Sequence, residues 1–154
     1  MYDVAIETLP EMPLACVKHV GPYPEMGKAF EALFNTIGAQ NLWAQIEATV
    51  GVFFHNPEET PEEELVSLAA VALKPGASCP DGLAPYTLEA GRHAVMIHKG
   101  SYAKLSEAYA YFMSEWLPQS GEHHAARPSF EIYLNDPTET PEDELLTKIC
   151  APLA

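Results

Sequence analysis

Basic residues are scarce in this chain. Lys and Arg number 8 against 22 Asp and Glu, a net charge of −14 at neutral pH. A phosphate backbone is repelled by such a surface, which argues against direct nucleic-acid binding. Attachment to anionic membranes is disfavoured for the same reason. No apolar run approaches the ~18 residues of a membrane helix. Cysteine is also sparse: Cys16, Cys79 and Cys150 are an odd count at wide spacing, with no C-x-x-C pair. That excludes a disulfide framework and reads as free, buried thiols. Phosphate loops, G-x-S-x-G elbows and paired Cys/His signatures are missing. The first residues, Met1-Tyr2-Asp3-Val4, lack a basic region leading into an apolar one, so the expected compartment is the cytoplasm.

What is present suits one folded domain. The chain has 154 residues, and 47% of them are apolar. A chain of this length buries roughly 70% of its unfolded surface. Its strongest signal is internal repetition. His19-Val20-Gly21-Pro22-Tyr23 recurs as His98-Lys99-Gly100-Ser101-Tyr102, 79 residues later. Asn56-Pro57-Glu58-Glu59-Thr60-Pro61 recurs as Asp136-Pro137-Thr138-Glu139-Thr140-Pro141, 80 residues later. Between these motifs Met26, Phe30, Leu33, Phe34 and Ile37 fall opposite Leu105, Tyr109, Phe112, Met113 and Trp116. The chain therefore reads as two copies, over about residues 1–75 and 82–153.

Each copy predicts the same elements. Alternation gives strands over residues 4–8 and 14–20, then 83–90 and 94–99. Apolar residues three and four apart give helices over 24–37 and 102–117. Two further strands close each copy, over 50–55 and 65–73, then 129–135 and 145–152. The expected fold is α+β: each copy runs strand, strand, helix, strand, strand, with a mostly antiparallel sheet, and a two-fold-related pair of copies builds a cleft between them. Thr60-Pro61-Glu62-Glu63 and Thr140-Pro141-Glu142-Asp143 read as capped helical turns with Thr as the cap. They lack the ligand spacing of a calcium loop.

The stretch Phe130-Glu131-Ile132-Tyr133-Leu134 is the most informative. Alternation puts Phe130, Ile132 and Leu134 on a core face and Glu131 with Tyr133 on the other. The first copy carries Gly51 and Phe53 at the matching positions. One wall of a cleft would hold the acid and the phenol, and the opposite wall Phe53. Tyr23, Tyr102, Tyr109 and Trp116 are candidate walls on the helices, and Trp43 is a cover or a packing residue. Aromatic walls with a buried carboxylate suit a flat, apolar or cationic ligand. His19 and His98, being repeated, read as structural. His123-His124 offers too few ligands for zinc. No metal and no cofactor is called for.

Val20-Gly21-Pro22-Tyr23, the Asn56–Pro61 turn and Phe130-Glu131-Ile132-Tyr133-Leu134-Asn135 together resemble the GyrI-like proteins. That family includes bacterial DNA gyrase inhibitors and the effector-binding domains of multidrug-sensing transcription activators. The resemblance spans about residues 2–153. It implies a tandem repeat of a strand–helix–strand–strand unit with pseudo-two-fold symmetry and a central ligand cleft, with Glu131 as the central acid and Tyr133 as the pocket tyrosine. The activators join this domain to a helix-turn-helix, for which 154 residues leave no room, so a transcription factor is not expected. Three functions follow, in order. The first is capture of hydrophobic or cationic drugs or toxins. The second is hydrolysis of reactive electrophiles, with Glu131 and Tyr133 as catalytic groups. The third is inhibition of DNA gyrase through the acidic surface. An internal pair of units makes a monomer the expected state.

Overall fold

The computed structural model describes residues 2–154. Helix α1, Gly27–Ala39, buries Ala29, Leu33 and Ile37, spaced four apart on one stripe. These side chains meet Ala15, Ala69, Val71 and Leu73 on a four-stranded antiparallel sheet. Its strands are β2 (Met12–Val20), β3 (Ile46–Phe53), β4 (Val66–Leu73) and β5 (Ala84–Leu88). They run in the order β5-β2-β4-β3. Small residues on β2 and β4 let the helix approach closely. Beyond Val66, every residue of β4 is buried, so this strand lacks the alternation of a one-sided strand. Trp43, half exposed, packs over Gly38 and against Phe34, with rings 5.9 Å apart.

A second set of four antiparallel strands runs in the order β1-β6-β8-β7. These are β1 (Val4–Leu9), β6 (Gly91–Lys99), β7 (Ser129–Tyr133) and β8 (Leu146–Pro152). Ala94, Met96, Ile149 and Ala151 face Ala108 and Phe112 of the helix above them. The strands predicted from alternation are all present, with bounds shifted by a few residues. The α+β architecture expected from the sequence is the one found.

The helices depart from expectation in detail. The predicted starts at Pro24 and Tyr102 are single 3-10 turns, Tyr23–Glu25 and Tyr102–Lys104. The helix predicted over 102–117 is in three parts: α2 (Leu105–Tyr111), a π turn (Phe112–Trp116) and α3 (Leu117–Ser120). Pro118 is the physical reason. It cannot donate, and its ring clashes with the carbonyl four residues before, so the helix opens just ahead of it. The Leu117 N–H reaches the Phe112 carbonyl, five residues back. The acidic turns are 3-10 turns whose caps are Pro61 and Pro141, with no side-chain cap bond, so Thr60 and Thr140 do not cap them. Asn56 and Asp136 order these loops instead, accepting from the N–H of Glu58 and Thr138 at 2.9 and 2.8 Å.

The compact units do not share boundaries with the sequence repeat. One unit is Pro10–Ala90, continuous in the chain; the other joins Met1–Leu9 to Gly91–Ala154. The first strand of each repeat thus belongs to the other repeat's compact unit. Periodicity predicts strands but not their partners, so this exchange lies beyond it.

The repeated H-x-G turn has a clear purpose. Gly21 and Gly100 both sit at φ +129°, a region that glycine alone enters without strain. Each donates its N–H across the unit, Gly21 to the Leu65 carbonyl and Gly100 to the Leu145 carbonyl, both at 2.8 Å. His19 and His98 brace the turn through Nε2, bonding the carbonyls of Pro22 and Ser101 at 3.0 and 3.1 Å. These histidines are structural, as repetition suggests. Gly100→Ala should lower unfolding free energy by about 1–3 kcal/mol in urea melts. An unchanged midpoint would refute the strain.

Candidate functional site

Strand β7 brings the acid to the helix side of its sheet. Glu131 lies opposite Ile149, and Tyr133 opposite Thr147. Ile149 belongs to the core beneath α2, so Glu131 and Tyr133 share that face. This corrects the expected core face: Phe130, Ile132 and Leu134 occupy the sheet's other side. Phe130 is buried against His93, with rings 5.5 Å apart, but Ile132 is half-buried and Leu134 is 48% exposed. Both faces of this strand are apolar enough that alternation cannot choose between them.

Glu131 is only 4% exposed. Two phenols hold its carboxylate. Tyr109, from α2, donates to Oε2 at 2.6 Å, and Tyr133 donates to Oε1 at 2.9 Å. No ion pair reaches it among the described residues. Tyr102 stands beside Tyr133, with ring centroids 5.5 Å apart. Thr147 Oγ1, opposite Tyr133, is buried without a hydrogen-bond partner.

The electrostatics follow from this burial. Desolvation raises the Glu131 carboxyl above its ordinary range, and the two phenol donors pull against that rise. Burial, then the nearby carboxylate, pushes the Tyr109 and Tyr133 hydroxyls well up. The Tyr102 hydroxyl is raised by burial first and by Glu131 second. The phenols therefore stay protonated and act as donors. The result is a dry carboxylate whose oxygens each accept a phenol hydrogen bond, with no counter-ion among the described residues.

The other unit supplies a comparison within one chain. Gly51 lies opposite Ala69, and Phe53 opposite Ser67, the same helix-side register. Phe30 occupies the position corresponding to Tyr109. So the carboxylate and both of its donor hydroxyls are replaced together by a hydrogen and two phenyl rings. Tyr23 meets Phe53 edge-on at 4.9 Å, and its hydroxyl donates to the His55 carbonyl at 2.7 Å.

Of the predicted site residues, Glu131, Tyr133, Tyr102 and Tyr109 come together around one carboxylate. Tyr23 and Phe53 come together in the Pro10–Ala90 unit. Trp116 stacks on Phe112, with rings 5.5 Å apart and 17° from parallel. Thr147 was not foreseen from the sequence; its register opposite Tyr133 is the only signal, and it needs the strand pairing. His124 is committed to the Ala125 carbonyl and the Ser129 hydroxyl at 2.6 and 3.0 Å. Among the described residues no group of three or more His, Cys, Asp or Glu could hold a metal ion. No described helix is long and apolar enough to cross a membrane. Burial holds the Cys16 and Cys150 thiols up at about 12, which suits packing rather than reactivity.

A family model for the GyrI-like small molecule binding domain matches residues 2–154. The chain belongs to the GyrI-like family. Within that family it is 27% identical over 124 residues to a DNA gyrase inhibitor of Escherichia coli, covering 78% of each chain. GyrI-like folds also appear among solved structures. The EcmrR C-terminal domain superposes with a TM-score of 0.77 at 20% identity, over 100% of this chain and 98% of that one. SAV2435 bound to tetraphenylphosphonium superposes with a TM-score of 0.65 at 13% identity, over 99% and 94%. At these identities the two structures establish the fold alone.

Proposed function

We propose that this GyrI-like chain captures an apolar organic cation against Glu131. The buried, hydrogen-bonded carboxylate, without a counter-ion among the described residues, is the observation that carries this reading. A charge held out of water is costly, and an arriving cation offsets that cost. Tyr109 and Tyr133 keep the two oxygens oriented. Their rings and that of Tyr102 supply faces that attract both flat apolar groups and positive charge.

Titration calorimetry with tetraphenylphosphonium tests it. Wild type should bind stoichiometrically. Glu131→Gln keeps the shape and removes the charge, so affinity should fall roughly 5- to 150-fold, about 1–3 kcal/mol. Equal affinity in the two proteins would sink the proposal.

Hydrolysis is the second reading. A carboxyl raised by burial suits general acid–base work, and phenol donors could steady developing negative charge. Its observable is product formation from an electrophile that stops in Glu131→Gln. Gyrase inhibition rests on the relatives' names and the −14 charge. Unchanged supercoiling at micromolar protein would discard it.

A further inference from the structure

An open hollow lies beside the π turn. In a regular helix the residue four ahead covers its predecessor. Here the widened turn lets both Glu115 and Trp116 neighbour Tyr111. Together with Gln119 and Ser120 they line an open hollow of about 360 Å³ on the outside of the helix. It is built from one compact unit. It shares none of its lining with the Glu131 cluster: Tyr109 turns to the carboxylate, while Tyr111 turns to Tyr2, with rings 5.7 Å apart.

The lining has a distinct chemistry. Trp116 is held by its stack on Phe112, so one aromatic wall is fixed. Tyr111 adds a second ring. The Ser120 hydroxyl is used locally, donating to the Leu117 carbonyl and accepting from the Glu122 N–H. Glu115 and Gln119 are exposed. Burial first, and Glu107 one helical turn before Tyr111 second, raise the Tyr2 hydroxyl. No lysine or arginine lines the hollow. Two rings and one carboxylate around one concavity favour a flat molecule of positive charge.

We infer that the Tyr111–Trp116 hollow is a second, independent binding site for aromatic cations. The ligand stacks on Trp116 and Tyr111, with its charge turned to Glu115. The site is open, so its affinity is modest and falls with salt.

Tryptophan fluorescence reads this site directly. The chain has two tryptophans, so Trp43→Phe leaves Trp116 as the only reporter. The probe is 1-methylquinolinium, flat, cationic and a quencher, with neutral quinoline as its control. In the Trp43→Phe protein, quenching by the cation should saturate. Half-saturation should rise about fivefold or more with Glu115→Gln, and by a similar factor for quinoline. Adding Glu131→Gln should leave it unchanged, whatever becomes of the proposed cation capture at that residue. Linear, unsaturable quenching would overturn the inference. So would equal half-saturation with Glu115→Gln, or loss of saturation with Glu131→Gln.

Discussion

Glu131→Gln is expected to make the ligand-free protein more stable while weakening cation capture. Glutamine keeps an acceptor for the phenols and loses the desolvated charge. Replacing buried charge by a neutral group of like shape is often stabilising. The expected gain near pH 7.5 is about 1–2 kcal/mol, or roughly 3–6 °C in Tm for a chain of this size. The pH dependence sharpens the expectation. The folded carboxyl binds its proton more tightly than an ordinary one near 4.5, because burial dominates. Between 4.5 and the raised value, the native state therefore holds more protons than the unfolded state. Stability then falls as pH rises through that window. The glutamine variant lacks this loss, so the difference between the two melts should widen from pH 4.5 upward and then level off. Tetraphenylphosphonium affinity should move the opposite way in wild type, falling as pH is lowered and the carboxylate takes up its proton. Calorimetric melts of both proteins at pH 4.5, 6 and 7.5 read the first effect. Parallel curves would show that Glu131 is not desolvated in solution.

Gly51→Glu should be the most damaging single change at a matched position. It would place a carboxylate in the register that Glu131 occupies, but beside Phe53 rather than Tyr133. Phe30 stands where Tyr109 would donate. An uncompensated buried charge costs about 3–5 kcal/mol. Gly51→Ala separates the effect of added bulk from that of charge. Adding Phe30→Tyr and Phe53→Tyr to Gly51→Glu should then recover about 1 kcal/mol or more per hydroxyl. The same two tyrosines without the glutamate should be neutral or harmful. A cycle of urea melts measures that coupling. Strict additivity would mean that the three positions do not form a unit, and that the matched divergence of the two copies is incidental.

Much of the fold was legible before any coordinates. The H-x-G-x-Y and N/D-P-x-E-T-P motifs recur at nearly one spacing, and element order follows from alternation and helical periodicity on either side of them. Glu131 and Tyr133 stood out because an acid and a phenol are unusual on an apolar strand whose counterpart carries Gly51 and Phe53. Tyr109 was named only as one ring among several. Its bond to Glu131 depends on how α2 lies over β7, which no local pattern encodes. The π turn was hidden because Pro118 falls just past the expected helix end, where a proline looks like a stop. The helix side of β7 was misjudged because Phe130 and Ile132 read as core whichever way the strand faces.

The Pro10–Ala90 unit interrupts the other one in sequence, and this bears on the order of events at the ribosome. All four strands and the helix of the interrupting unit have been synthesised by residue 90, so it can close while the rest is still being made. β1 is made before this unit yet must wait for β6, whose Met96 is the partner of Val4. At typical elongation rates of about 5–20 residues per second, that wait lasts several seconds. During it the nascent chain carries β1 without its partner strand. Contacts so distant in sequence also slow the final closure. Whatever protects Val4–Leu9 in that interval, chaperone or early collapse, is therefore part of how the Glu131 unit comes to exist.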